Sequence, residues 1–209
     1  MGVVVLVLGE SGSGKSYSLK NFDPNTVGVF NVSNKPLPFR NGKNFKQYKG
    51  VNASYANICK AFANHTLKRY VVDDANYLMT FEEFARSKET GYGKFTEMAT
   101  HFYGMVQAAI AMPDDVITYF MMHVENSEDG KVRAKTTGKM IGDKLVLEGL
   151  FSIVLLAQVD GSDRRHYFVT QTDGFTTAKS PEEMFDFEIP NDLEMVDKTI
   201  REYYGLTEV

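Results

Sequence analysis

Val3-Val4-Val5-Leu6-Val7-Leu8-Gly9-Glu10-Ser11-Gly12-Ser13-Gly14-Lys15-Ser16 opens the chain and decides how the rest is read. Val3 to Leu8 is an unbroken apolar run of strand length. A strand with no polar face is buried on both sides, as in parallel sheets covered by helices. Residues Gly9 to Ser16 match G-x-x-x-x-G-K-S/T in full. Glycines let the backbone curl so that successive N–H groups face one concavity, and the start of a following helix adds to its pull on phosphate oxygens. In this pattern Lys15 reaches the outer phosphates of a nucleoside triphosphate and the Ser16 hydroxyl binds Mg2+. The binding set is read as Gly9, Glu10, Ser11, Gly12, Ser13, Gly14, Lys15, Ser16 and the next residue, Tyr17.

The chain around this motif has 209 residues, 43% hydrophobic and 24% charged, which suits one globular domain over 1–209 and excludes wholesale disorder. The net charge of -4 leaves no global basic field for nucleic acid or an anionic membrane, although a local basic patch is compatible with it. The apolar run at residues 3–8 is too short to span a bilayer and lacks the flanks of a leader. The single cysteine, Cys59, rules out an intrachain disulfide and a cysteine-built zinc site, and fits a reducing cytoplasm.

Further along, a short helix is expected over about residues 15–20 and a strand over Thr26 to Val32. The stretch Lys35 to Lys49 reads as a loop with Phe39, Phe45 and Tyr48 among its cations. These aromatics suit stacking on single-stranded bases, or anchoring of the loop to the core. Asn52 or Ser54 caps a helix carrying Ile58 and Phe62. Helical spacing of Tyr77, Leu78, Phe81 and Phe84, then of Phe95, Met98, Phe102, Met105 and Ala109, predicts two helices whose aromatic stripe is core. Val116 to Val124 is a strand. Glu125 to Lys144 is a polar loop or ribbon, and Phe151 to Val159 with His166 to Thr172 is a hairpin turning at Asp160-Gly161. Asn191 with Glu194 predicts a capping box for a closing helix lined by Leu193, Val196, Ile200 and Tyr203. Alternating strands and helices predict an α/β fold with a mostly parallel sheet, gaining strands at one edge near the C-terminus.

A phosphate loop calls for a second element, an acid ending a neighbouring buried strand and bound to Mg2+. Tyr70-Val71-Val72-Asp73-Asp74 supplies it. Asp73, directly after the apolar run, is the metal candidate. Asp74 either orients or deprotonates an attacking water, or caps the helix that follows.

Taken together, the P-loop, the Asp73-Asp74 strand, a strand ending in His123, the Lys-rich segment after it, the string Tyr167-Phe168-Val169-Thr170-Gln171-Thr172-Asp173-Gly174 and Ala178-Lys179-Ser180-Pro181 resemble phage-encoded RecA-like P-loop ATPases of the single-strand-annealing and recombinase group. The resemblance implies a RecA-like core that binds ATP and Mg2+ in the host cytoplasm and oligomerises on single-stranded DNA. It implies that Gly9 to Ser16 hold the ATP phosphates, Asp73 the metal, and that His123 senses the γ-phosphate; joined to the residue reading, this makes Lys15, Asp74 and His123 the catalytic set and Ser16 with Asp73 the metal pair. It places Lys131, Arg133, Lys135, Lys139 and Lys144 against DNA, and Lys179 as a finger towards a neighbour's nucleotide. On the residues alone, His123 is equally a satisfied strand-end histidine, the lysine cluster a solvated loop and Lys179 a surface lysine. One departure stands out: the strand after the P-loop ends Asn31-Val32-Ser33-Asn34, without the glutamate that activates water in RecA-like enzymes. Asp74 or Glu125 is left as the substitute, and slow hydrolysis is expected. With the P-loop at residue 9, no separate N-terminal polymerisation segment is expected, so assembly would use the core. Two other readings are carried forward: a P-loop nucleoside or nucleotide kinase, and a nucleotide-dependent replication partner that does not hydrolyse.

Overall fold

The structure, a computed structural model, describes residues 1–127, 130–137 and 145–207. The opening apolar run forms β1 (Val3–Leu8), which lies at the heart of the sheet. Val4, Leu6 and Leu8 point to one apolar core and Val5 and Val7 to another, so both faces of this strand are buried. The other strands are β2 (Val27–Asn31), β3 (Gln47–Lys49), β4 (Arg69–Asp73), β5 (Ile117–Met122), β6 (Val124–Asn126), β7 (Val132–Ala134), β8 (Ile153–Val159), β9 (His166–Val169) and β10 (Glu188–Pro190). The main sheet runs β10-β9-β8-β1-β5-β4-β2-β3. It is parallel from β8 through β3, and β9 and β10 join antiparallel at the C-terminal edge. Strands β6 and β7 form a separate antiparallel ribbon, which settles the choice left open for residues 125–144 as far as they are described. The expected fold class holds: a mostly parallel α/β sheet with helices on both faces and added strands at one edge.

Helices α1 (Tyr55–Asn64), α2 (Asn76–Ala85) and α3 (Gly93–Ile110) cover one face, and α4 (Leu193–Tyr204) covers the other. Ser54 caps α1 by accepting from the Asn57 N–H. In α3, Met98, Phe102, Met105 and Ala109 are buried at helical spacing, and each of the three large side chains contributes about 1.5–3 kcal/mol. Phe45 is buried and Tyr48 stacks on Phe30 at 5.0 Å; the stretch expected as a loop over Lys35 to Lys49 thus ends in β3, which pairs with β2, and its aromatics anchor it. Among the described residues, no helix is long and apolar enough to cross a membrane.

Three local expectations are corrected. The segment after the P-loop is a 3-10 helix over Ser16–Asn21, because Phe22 turns extended before a longer helix can propagate. Phe81 and Phe84 of α2 are exposed, since Leu78 and Met79 occupy the buried side of that helix; Tyr203 of α4 is exposed as well. The cap of α4 is Asp192, whose carboxylate accepts from the N–H groups of Glu194 and Met195, and Asn191 turns inward instead.

Candidate functional site

Parallel strands deliver their carboxyl ends to one edge of the sheet, where open α/β folds bind ligands. The loop after β1 emerges there between β5 and β8. Gly12 and Gly14 have φ of +84° and +100°, which a side chain would strain. A Cβ at Gly14 would stand 2.8 Å from His166 Nδ1, so only glycine fits. Lys15 is 5% exposed, and its Nζ donates to the carbonyls of Gly9 at 2.7 Å and Glu10 at 2.9 Å. Burial lowers its pKa to about 8 against the opposing pull of Asp74 and Asp73. Because a 3-10 helix follows, most of any pull on an anion would have to come from the loop's own amides.

Asp73 closes β4, one strand away from β1 across β5. The Ser16 hydroxyl donates to Asp73 Oδ1 at 2.8 Å, bringing together the two residues expected to share a metal. Asp73 is 4% exposed, and burial first, then the charge of Asp74, raises its pKa to about 6. Asp74 takes a left-handed backbone, φ +59°, just past the strand. Its carboxylate lies 3.3 Å from His123 Nε2 and 3.7 Å from Lys35 Nζ. Burial opposes its ionisation, but the neighbouring His123 and Ser33 side chains outweigh that and hold its pKa at about 2. The two neighbouring carboxyls are thus pushed apart, the pattern of paired groups with different roles. Asp74 does not cap α2, which has no side-chain cap.

These groups line a cleft of about 390 Å³ that brings Lys15, Ser16, Tyr17, Asp73, Asp74 and His123 together. Ser11, Gly12 and Gly14 also border it; Glu10 is exposed outside it and Ser13 is buried beneath it. Glu125 is not at the cleft: it sits on the ribbon, accepting from the Thr136 N–H at 3.4 Å. Lys179, expected to reach towards a neighbour's nucleotide, lies away from this cleft and pairs through its backbone with Val154 of β8. Lys131, Arg133 and Lys135 lie on or beside the ribbon, while Lys139 and Lys144 fall outside the described residues. The ribbon is tied to the site, because the Lys135 N–H donates to the His123 carbonyl at 2.8 Å.

Sequence reasoning missed Lys35 and His166, both of which border the cleft, and the turning of Asn191 towards Gly14. Lys35 was readable as a cation just past a parallel strand. His166 was not, because its place depends on pairing of β9 with β8, where it faces Val159.

A triphosphate and Mg2+ fit this set. The donors are hard oxygens from a hydroxyl and a carboxylate, the ammonium of Lys15 is poised beside them, and open space surrounds the Gly12 Cβ position.

No protein-family model and no curated protein matches the chain. Among solved structures, a KaiC-like protein from the hyperthermophilic archaeon Pyrococcus horikoshii is similar at 14% identity, covering 80% of this chain and 77% of that one with a TM-score of 0.44. A likeness of that strength carries no argument about activity.

Proposed function

We propose that this protein is a Mg2+-dependent, ATP-binding P-loop ATPase of the RecA-like kind. The observation that carries the reading is the Ser16 Oγ to Asp73 Oδ1 hydrogen bond, 2.8 Å, beside a buried Lys15 at the carboxyl edge of the sheet. Bound Mg2+ supplies charge neutralisation on the outer phosphates. The chain's own residues do the rest. The loop amides cradle the phosphates, and Lys15 exchanges the Gly9 and Glu10 carbonyls for phosphate oxygens. Asp73 and Ser16 hold the ion. Asp74 stays ionised and orients a water, with His123 beside its carboxylate. With a pKa of about 2, Asp74 is a weak proton acceptor, so turnover is slow.

The finer part of the proposal is that single-stranded DNA binds the β6–β7 ribbon and that copies of the chain assemble on it. Support comes from exposed Lys131 and Lys135 and from the Lys135 to His123 link, which joins the ribbon to the nucleotide cleft. Phosphoryl transfer to a small acceptor is the second reading. It is favoured by a largely apolar pocket of about 660 Å³ between Tyr55, Leu78 and Phe81, next to the cleft through Val32-Ser33.

Calorimetric titration with ATP, with and without Mg2+, tests the core of this reading: the wild type binds and Lys15→Ala does not. Unchanged affinity in that variant refutes the assignment. Phosphate release stimulated by an oligonucleotide, with growth in gel-filtration size, supports the DNA reading; label transfer to an added nucleoside supports the second.

A further inference from the structure

The C-terminal third of the chain reaches back under the P-loop, which nothing in the motif requires. His166, the first residue of β9, places Nδ1 3.1 Å from the Ser13 carbonyl. Asn191, at the corner between β10 and α4, is 6% exposed, and a Cβ at Gly14 would lie 3.2 Å from both of its amide atoms. Among the described residues neither amide atom has a hydrogen-bond partner, and neither has the Ser13 hydroxyl, itself on a residue 7% exposed. One residue further, Asp192 Oδ2 accepts from Asn21 Nδ2 at 2.6 Å, fastening the same corner to the far end of the 3-10 helix.

Buried polar groups without partners are costly, and natural chains seldom keep them without a reason. Here three such atoms, of Ser13 and Asn191, lie beside the Ser13–Gly14 peptide of the phosphate loop. We propose that His166 and Asn191 are positioning residues that latch the P-loop. His166 fixes the Ser13 carbonyl before nucleotide arrives. The Asn191 amide takes up hydrogen bonds with the Ser13–Gly14 segment when the loop closes round the phosphates, so a demand that the protein alone does not meet is met in the closed loop. The latch rests on the nucleotide reading above and adds to it residues from the distant C-terminal strands.

Such a latch makes stability and affinity move in opposite directions, which a merely structural amide does not. Asn191→Leu keeps the shape and removes the unpaired atoms. Its thermal midpoint without nucleotide stays level or rises, while its affinity for Mg-ATP falls on the order of three- to tenfold, the worth of one or two hydrogen bonds. His166→Phe keeps a ring and loses the donor, so affinity falls by a similar factor. His166→Asn returns an N–H near the Nδ1 position and recovers most of it. A lower midpoint for Asn191→Leu, with or without a change in affinity, makes the amide a structural hydrogen-bonding group and overturns its part in the latch. Equal affinities for the Phe and Asn variants of His166 reduce that residue to packing and overturn the other part. Wild-type protein that binds no ATP dependent on Lys15 refutes the nucleotide reading and the latch together, whereas binding by wild type with unaltered variants refutes the latch alone.

Discussion

Asp73→Asn should make the protein more stable when no nucleotide is bound. The carboxyl of Asp73 is buried beside the charge of Asp74, and its pKa rises from 3.8 to about 6. The native state therefore binds more protons than the unfolded chain between those values, and stability is lost as pH climbs through that window. Above it the full penalty applies: about two pK units at 1.36 kcal/mol each, or about 3 kcal/mol at pH 7. Asparagine has the same shape, carries no charge and still offers an amide oxygen to the Ser16 hydroxyl, which now donates to Asp73 Oδ1. For a domain of this size, that gain corresponds to roughly 6–12 °C in melting temperature. The assay is thermal unfolding of both proteins from pH 4 to 8, in EDTA and without nucleotide. The variant should lead at pH 7 and nearly lose its lead by pH 4, where Asp73 is largely protonated in the native wild type. A variant that melts at or below wild type at pH 7, or whose advantage persists at pH 4, refutes the electrostatic account of the site. The same substitution should weaken Mg2+-dependent nucleotide binding.

Asp197 is fully buried between Arg69, Arg201 and the Tyr119 hydroxyl, at 2.7–3.0 Å. Asp197→Ala strands the two guanidinium groups and should cost about 3–5 kcal/mol in urea unfolding; a cost below about 1 kcal/mol would mean the cluster does not hold α4 to the sheet. Charge removal at Lys131 and Lys135 together should reduce the salt slope of oligonucleotide binding by about 1.4, at roughly 0.7 for each single-strand phosphate that a lysine no longer neutralises. An unchanged slope takes the ribbon out of DNA binding.

What the sequence disclosed was local. Val3 to Leu8 and the following glycines carry their own instructions: an apolar run at strand length, then residues that tolerate φ of +84° and +100°. Asp73 was legible for the same reason, as an acid directly after a buried run. The acid's link to Ser16 follows once parallel strands bring their ends to one edge. The misreadings lie where neighbours in space decide. Asn191 and Asp192 are both good cap residues, and the choice went to Asp192 because Asn191 has a place beside Gly14. Phe81 and Phe84 have helical spacing, but that spacing cannot say which side of α2 meets the sheet. His166 belongs to the site only through the register of β9 on β8, a non-local fact.

The two edges of the sheet are treated differently. At the amino edge, Arg69 begins β4 and Arg201 reaches the carbonyls of Lys68 and Asp115, just before β4 and β5; with Asp197 and Tyr119 they form a buried network in which every charge has a partner. At the carboxyl edge, Lys15 and Asp73 are held away from their usual ionisation, and Ser13 and Asn191 are buried with polar atoms unmet among the described residues. Within the network at the amino edge the charges are paired, although Asp115 Oδ1 and Thr118 Oγ1 near the same edge have no partner among the described residues. At the other end, among the described residues, partnerless buried atoms of Ser13, Asn191 and His123 gather round one loop. A polyphosphate with a divalent ion would suit this set: a buried ammonium bonded to two carbonyls, a buried carboxylate beside another carboxylate, and amide and hydroxyl groups without partners among the described residues. On the proposed reading, binding such a ligand would answer the unmet demands that lie round this loop.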